Sequence, residues 1–561
     1  MRVFRQLLST LHPTSPPPQR WLYVPYDQLH LRLSPLDADD ASSQWGLVLV
    51  ESLERGRRRP VHKQKLALLL SNQRHFALEA AKAGFHVTYL AGAAPISEQL
   101  RAFAAEASTS LTLREAAERD LRAELQPLID DDVLQVGRHR GWLTSRETFL
   151  QSQGKRKQWR MDAFYKKVRQ QTGLLMDGDQ PEGGAYSHDV ENRLPYKAKA
   201  RQAAPLPTVP TFAVDEVTQE VIALVEEAFA DHPGVITPTS LPVTLDDAKR
   251  SWAWALQECL PHFGPYEDAM TTSSHSLFHT LVSPLLNLHR LLPRDVVQDV
   301  SDADHLPLPS REGFIRQVIG WREFVKHIHD VTDGFRRLPD GTTPAVLDMP
   351  AAPSWPHQAA PLPDGIDGGA CPSALEAEAP LPAAFWGTPS GLACLDDVTS
   401  KVMQTGYAHH IERLMVLGNI ATLLDVRPRA LTDWFWAGFI DAYDWVVEPN
   451  VLAMATYGTG PVMTTKPYVC SANYLHKMSD ACSSCAFHPK KNCPITQMYW
   501  AFLDDKRPQL EKNVRLAMPY RNLARRSDAQ KAHDHAVADW VKQTLANGEV
   551  LDVSALPVLN E

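Results

Sequence analysis

WGLVLVE (Trp45–Glu51), KLALLLSNQRHFALEAAKAG (Lys65–Gly84) and FHVTYLAG (Phe85–Gly92) are the stretches that decide the fold. The first and third are short apolar runs with the composition of buried strands. The middle one carries apolar residues at helical spacing and closes on a glycine. A strand, a helix and another strand in that order make a βαβ unit with the strands parallel. Outward from there, WLYVPY (21–26) reads as an earlier strand, REAAERDLRAEL (114–125) as a helix and VLQVGR (133–138) as a further strand. Residues 21–150 are therefore expected to form an α/β domain on a Rossmann-like parallel sheet, with ligands at the carboxyl ends of its strands. No G-x-G-x-x-G occurs, so a standard dinucleotide site is not indicated.

From about residue 215 only helical patterns remain. Examples are VDEVTQEVIALVEEAFADH, HSLFHTLVSPLLNLHRLL, EGFIRQVIGWREFVKHIHDV and TSKVMQTGYAHHIERLMVLGNIATLL. Many are apolar on more than one face, as in a large all-α domain. The expected organisation is an N-terminal extension (1–20), the α/β domain (21–150), a connector (151–214), a helical domain (215–530) and a C-terminal tail (531–561). AKARQAAPLPTVPT (198–211) reads as the linker, and the Pro-rich segment 338–382 as a long loop insertion. No internal repeat is present.

The chain has 561 residues, of which 44% are hydrophobic and 22% charged. That length suggests about three or four domains and excludes a staple-dependent small scaffold. No apolar run is long enough for a transmembrane helix, and the N-terminus lacks a signal-peptide pattern, so a cytoplasmic protein is expected. A net charge of −9 argues against a DNA-coating protein. Basic clusters nevertheless stand at Arg55–Arg59, at residues 154–160 (GKRKQWR) and at Arg521–Arg526, each either a solvated face or part of a phosphate-binding strip.

Seven cysteines in a chain without secretory signals argue against a disulfide framework. Cys482-Ser-Ser-Cys485 followed by Cys493-Pro494 has the spacing of thiolates that converge on one metal centre, zinc or iron–sulfur. His488 could complete a Cys3His zinc site, and Cys394, Cys470, Cys371 and Cys259 are all open as a fourth thiolate. Tyr407-Ala-His409-His410-Ile-Glu412-Arg413 lies in a helical pattern, so the adjacent histidines point about 100° apart. One can face a site while the other orients it. Asp441 through Asn450 gathers acid, aromatic and amide groups near a turn. Trp386, Trp434, Trp436 and Trp445 cluster around the histidines, either as packing groups or as an electron path.

These features together resemble a known family. His409-His410-Ile-Glu-Arg-Leu-Met, Lys466-Pro467-Tyr468, Asn473-Tyr474, Lys477-Met-Ser-Asp480 before Cys482, and FGPYEDAMTTSSHSLFHTLVSPLLNL resemble the iron–sulfur bacterial cryptochromes and photolyases, also called prokaryotic (6-4) photolyases or deoxyribodipyrimidine photolyase-related proteins. RHFALEAAKAGFHVTYL, FYKKVRQQTGLLMDGDQPEGG and DVENR agree, so the resemblance spans about residues 21–530. It implies an α/β antenna domain and a helical domain that binds FAD, a 4Fe-4S cluster, and a 6,7-dimethyl-8-ribityllumazine antenna.

The cluster ligands so implied are Cys394, Cys482, Cys485 and Cys493. The FAD positions are Thr271, Thr272, Ser273, Ser276, Leu277, Arg316, Gln317, Trp321, Arg322, Asp441, Asn450, Lys466 and Tyr468. Asp27 and Glu51 fall at the antenna, Trp386 and Trp434 in an electron relay, and His409 and His410 at the catalytic centre. The implied activity is blue-light repair of (6-4) photoproducts in UV-damaged DNA by a monomer, with a signalling photoreceptor of the same fold as the alternative. The sequence departs from the family at Tyr26, where a glycine usually precedes Asp-Gln-Leu, and at Asn72-Gln73, where Ala-Met is usual. It departs also at Phe435 in place of tyrosine, and in the length of the Pro-rich segment.

Overall fold

The near-continuous apolar run of Trp45–Glu51 calls for a strand covered on both faces. The computed structural model describes residues 1–11, 13, 16–34, 44–350 and 362–559, and it places five parallel strands in one sheet. They are β1 (Arg20–Tyr23), β2 (Trp45–Ser52), β3 (His86–Gly92), β4 (Leu111–Arg114) and β5 (Leu134–Gly137), ordered β3-β2-β1-β4-β5. Leu22 pairs with Leu47 and Leu47 with Val87, and Leu47 through Val50 are buried. The chain runs outward to β3 and then returns across β1 to β4, so the strand order reverses between β1 and β4. An open α/β sheet has its ligand crevice at such a point.

Helix α1 (Arg2–Leu11) is not a loose extension. Phe4 is buried against Tyr89, with ring centroids 4.7 Å apart, and Glu220 accepts from the Val3 and Phe4 amides at 2.7 and 3.2 Å. Helix α2 (Lys63–Lys82) forms the first crossover and α3 (Ile96–Glu106) the second. The stretch expected as one helix from Arg114 divides instead. Arg114 ends β4, the Glu115 amide donates to Gly137 O, and helix α4 begins only at Arg119 (Arg119–Asp130). Four residues of alternating pattern, LTLR, are too short a signal beside the charged helix-like run that follows.

The second half is helical, with breaks that the periodicity did not reveal. Helix α5 (Ala393–Thr405) stops at Gly406, whose φ of +66° lies in the left-handed region that glycine occupies freely. Tyr407, Ala408 and His409 therefore lie between helices, and helix resumes at His410. Of HSLFHTLVSPLLNLHRLL, only Ser283–Asn287 is helical; Leu277, Leu281 and His289 have φ of +50°, +57° and +55°. EGFIRQVIGWREFVKHIHDV is helical, with a wider π-type stretch at Arg316–Arg322. In the Pro-rich insertion, Val346–Leu347 pairs antiparallel with Gly369–Ala370, and residues 351–361 lie outside the described residues.

Helix α6 (Pro428–Gly438) carries Trp434. Helices α7 (Pro494–Asp505) and α8 (Asp528–Ala546) close the fold. The segment 531–561, expected as a tail, is thus largely α8. That helix is capped by Ser527 and Gln530 and buries Val537, Ala538, Val541 and Leu545 on one stripe. One apolar core runs from Val48 and Val50 of the sheet to Trp445 and Leu452 of the helical half, so the two halves pack as one body. Among the described residues no helix is long and apolar enough to cross a membrane.

The sheet leaves no room at Gly46 on β2. A Cβ there would overlap the indole of Trp21, its register partner on β1. Gly46→Val is expected to lower unfolding stability by about 1–3 kcal/mol. Denaturant titration with an unchanged midpoint would show that Trp21 repacks freely.

Candidate functional site

At the carboxyl ends of β1 and β2 a cavity, partly open to solvent, lies between the two halves. Its wall includes Tyr26, Glu51, Arg55, Lys65, Trp436 and Tyr443. The Tyr26 and Tyr443 rings lie nearly parallel with centroids 6.5 Å apart, so the tyrosine that replaces the family's glycine narrows the cavity. Glu51 is on the wall, but its carboxylate is already held. Arg74 Nη2 and Nε donate to it at 2.7 and 2.9 Å, and the Tyr89 hydroxyl donates at 2.7 Å. Asp27 is buried away from the cavity wall. Burial pushes its carboxyl up to about 6, against the pull of the Ala117 amide. Neither acid offers a free carboxylate to a ligand in the cavity.

In the Arg55–Arg59 cluster only Arg57 is exposed, donating to Ala228 O at 3.1 Å, and the other three arginines are paired with acids. Arg55 pairs with Glu118 at 2.9 Å, Arg58 with Glu124 and Glu54 at 2.6 Å, and Arg59 with Asp120 at 3.4 Å. The acids come from α4 and its N-terminal edge and from the cluster's own helix; a basic run in sequence says nothing of such partners. Lys65, buried between the Trp436 and Tyr443 rings at 5.0 and 4.8 Å from their centroids, is pulled down by burial to about 7.

In the helical half the site residues fall into three linked groups. In the first, Asp480 accepts from Thr271 Oγ1 and from the Thr272 amide, each at 2.8 Å, and pairs with Arg201. Lys401 donates to Thr271 O at 2.9 Å and to Glu412 at 3.0 Å. In the second, Gln317 donates to Glu267 at 2.6 Å, and Arg316 pairs with Glu312 at 3.1 Å. In the third, Arg413 binds Asp441 through two contacts of 3.0 and 2.9 Å, Ser283 donates to Asp441 at 2.6 Å, and Asn287 joins the Asp441 carbonyl to Arg322. Arg322 is buried over Trp142 and is lowered by burial to about 10. Asn450 is half-buried with its amide on Val446 O, and Tyr468 packs against both core clusters. Among the described residues Ser276 Oγ, His279 Nε2 and His409 Nδ1 are buried without a hydrogen-bond partner, and Arg316 Nη2 and Arg322 Nη1 have only long ion-pair contacts, 3.6 Å to Glu267 and 3.7 Å to Glu323. Orphans of that kind cost about 1–3 kcal/mol each unless a polar ligand engages them.

His409 and His410 part company at the helix start. His409 is buried, stacks on His279 at 4.4 Å with rings 8° from parallel, and stands 3.5 Å from Glu412. Burial drives both His409 and His279 well below the usual imidazole range, so both are neutral at pH 7. The His410 side chain is 42% exposed, with Nε2 3.9 Å from Asp268 and 4.0 Å from Glu267. His279, Glu267, Asp268 and Lys401 were not singled out from sequence, whereas Arg413 stood in the motif that carries the histidines. The first four come from loops and helix ends brought together by tertiary packing, and only the crowding of His275 and His279 in one loop hinted at them.

Cys394, at the start of α5, lies within electrostatic reach of Cys493, Cys482 and Cys485. Burial raises the thiols of Cys394, Cys482 and Cys493, the last to about 12. Cys470 is apart, its amide bonded to Asn419, and Cys259 packs under His279 O. Among the described residues no three ligand side chains are close enough to hold a single metal ion. Trp386 and Trp434 meet edge to face at 6.3 Å, and Trp434 is fully buried against Phe385, Phe435 and Phe439.

Two solved structures share this architecture across 95% of the chain. One is a bacterial class III photolyase from Agrobacterium tumefaciens, 99% covered, with a TM-score of 0.53 and 14% identity. The other is a cryptochrome from Synechocystis, 100% covered, with a TM-score of 0.51 and 14% identity. The fold is that of photolyases and cryptochromes. Residues 22–241 match the model of the deoxyribodipyrimidine photo-lyase-related proteins. The chain is also 34% identical over 524 residues to a (6-4) photolyase of Agrobacterium fabrum, covering 90% of this chain and 95% of that one. It belongs to the deoxyribodipyrimidine photolyase-related family of flavoproteins.

Asp27 gives a test by linkage. Its native carboxyl titrates near 6 and its unfolded one near 4. A raised native value stabilises below the unfolded pKa, and that stabilisation is lost as pH rises through 6. The stability of Asp27→Asn relative to the wild type should therefore increase between about pH 4 and pH 6, by the order of 1–3 kcal/mol, and then level off. Parallel profiles in urea unfolding would place the Asp27 carboxyl in a solvated setting.

Proposed function

We propose that this protein is a light-driven DNA lyase that repairs (6-4) pyrimidine photoproducts, working as a cytoplasmic monomer. The observation that carries this reading is the cluster of His279, His409 and His410, in which one ring alone meets solvent. A photoproduct weakens stacking and pairing at its own step, which lowers the cost of flipping it into a pocket. FAD fits the orphaned polar atoms on Ser276 and the histidines and the loosely paired guanidiniums of Arg316 and Arg322. Thr271, Thr272, Ser273 and Leu277 would hold its phosphates, with Gln317, Trp321, Lys466 and Tyr468 alongside. Asp441 and Asn450 would border the ring system. When bound, reduced FAD supplies a photoexcited electron to the lesion.

The chain's own task is then the proton. His409 and His279 are neutral and enclosed, so they form the pocket wall and hold its shape. His410 holds a proton at Nε2 where it faces both the opening and the Asp268 and Glu267 carboxylates, and it can deliver that proton and recover it. Cys394, Cys482, Cys485 and Cys493 would hold a 4Fe-4S cluster through their thiolates. It would staple α5 to the α7 segment and contribute to folding. The interdomain cavity would take the lumazine antenna, with Tyr26 and Tyr443 as its aromatic walls. Glu51 serves there by holding Arg74, so truncating it uncovers a buried guanidinium rather than simply emptying the cavity.

His410→Ala should retain FAD, photoreduce normally and bind lesion DNA, yet repair at least about 10²-fold more slowly. Illumination of a (6-4) oligonucleotide followed by chromatography measures this. Repair close to that of the wild type would remove His410 from the mechanism. In the relay, Trp434→Phe should slow photoreduction strongly with external reductant present, because the Trp386 contact then ends on a ring much harder to oxidise. Unchanged kinetics in absorbance at flavin wavelengths would assign the path elsewhere.

A further inference from the structure

Of the three basic clusters in the sequence, one is largely neutralised inside the fold, as shown above. The other two lie on the surface and adjoin one turn. The Trp159 amide, within GKRKQWR, donates to Val462 O at 2.7 Å. From the other side, Asn513 Nδ2 donates to Thr465 O at 2.8 Å. Lys155, Arg156 and Lys157 thus precede the contact to Val462, and Arg515, Arg521 and Arg525 follow the contact to Thr465, so both basic segments adjoin residues 462–465. All six side chains are exposed, and none has an ion pair among the described residues. Across residues 506–526 the sole acid is Glu511, and Asp340 faces Lys157. On a chain of net charge −9 this is a concentrated positive surface. Val514 and Met518, 86% and 61% exposed, put apolar groups among the guanidiniums, as a face that is covered in a complex would.

The strip leads to the site. Beyond Lys466 the chain passes to Tyr468, which is within electrostatic reach of Asp189 and Arg193. Arg193 stands 3.9 Å from Asp268, and Asp268 stands 3.9 Å from His410.

We infer that this surface, residues 155–157 with Arg515, Arg521 and Arg525, binds the phosphates of the duplex flanking the flipped lesion. The inference rests on the photolyase reading for its partner, but its test does not need repair. Full-length Arg515→Gln/Arg521→Gln/Arg525→Gln is titrated in the dark with a lesion-free duplex by fluorescence anisotropy over a KCl series. Each lost phosphate contact removes about 0.9 from the slope of log affinity against log salt, so the slope should flatten by about 2–3. Lys155→Gln/Lys157→Gln should flatten it by about 1–2. Repair per bound lesion at saturating DNA should be unchanged in both. A control that neutralises Lys82, Arg101 and Arg250 should keep the wild-type slope. Variants with the wild-type slope, or a control that flattens as much, would overturn the inference and leave the repair reading standing. Flattened slopes in a protein that repairs no lesion would uphold the surface and sink the repair reading.

Discussion

The buried pair of Arg413 and Asp441 organises the helical half. Burial alone would raise the Asp441 carboxyl; Arg413 and Ser283 outweigh it and hold it below the usual carboxylate range. Arg413 Nε also donates to Ala408 O at 2.6 Å, fixing the break that carries the histidines, and its guanidinium lies 4.3 Å from the centroid of Phe439. On the other side, Asn287 binds the Asp441 carbonyl, and Lys65 of α2 donates to the next one, Ala442 O. One ion pair thus joins the histidine segment, the loop around Ser283 and the α/β domain. Removing one partner of such a pair leaves a buried charge at a cost of about 3–5 kcal/mol, which makes these three segments one unit.

Asp480 does a parallel task for the cysteine segment. Two residues before Cys482, it clamps Thr271 and Thr272 and meets Arg201 from the 198–211 segment. The loop proposed for phosphate binding is therefore referenced to the same segment that carries three of the four cysteines. Disorder in the cysteine segment would release Thr271 and Thr272 together, because both bond to that one carboxylate.

Much of this was legible because periodicity reports burial. The runs of β2 and β3 and the long helix α2 declare themselves, since each buries most of its length. The short strand β4 did not, because four residues carry too little period beside a charged run. Gly406 stood in plain view within a helical pattern, yet its role as a stop depends on a left-handed φ that spacing alone does not specify. The arginines at 55–59 were ambiguous for a different reason: their partners Glu118, Asp120 and Glu124 lie sixty residues on. The motif residues from 441 to 493 were found through resemblance, whereas His279, Asp268 and Lys401 needed the packing.

The tryptophans illustrate how packing decides among residues that sequence treats alike. Trp434, Trp436 and Trp445 sit close together in the chain, but their surroundings differ in charge. Arg59 and Lys65 lie 5.5 and 5.0 Å from the Trp436 centroid, and Arg322 lies 5.2 Å from that of Trp445. A cation over an indole face stabilises the neutral ring and repels the positive charge that appears when the ring gives up an electron. At about 5 Å that repulsion is of the order of 3 kcal/mol at an effective dielectric constant of 20. Among the described residues no cation stacks on Trp434, and Arg413 is stacked on its neighbour Phe439 instead. Trp434 and Trp386 are in mutual contact, and Trp434 is screened by phenylalanines. Arg59 and Lys65 on the cavity wall thus raise the cost of oxidising Trp436, and Arg322 raises that of oxidising Trp445.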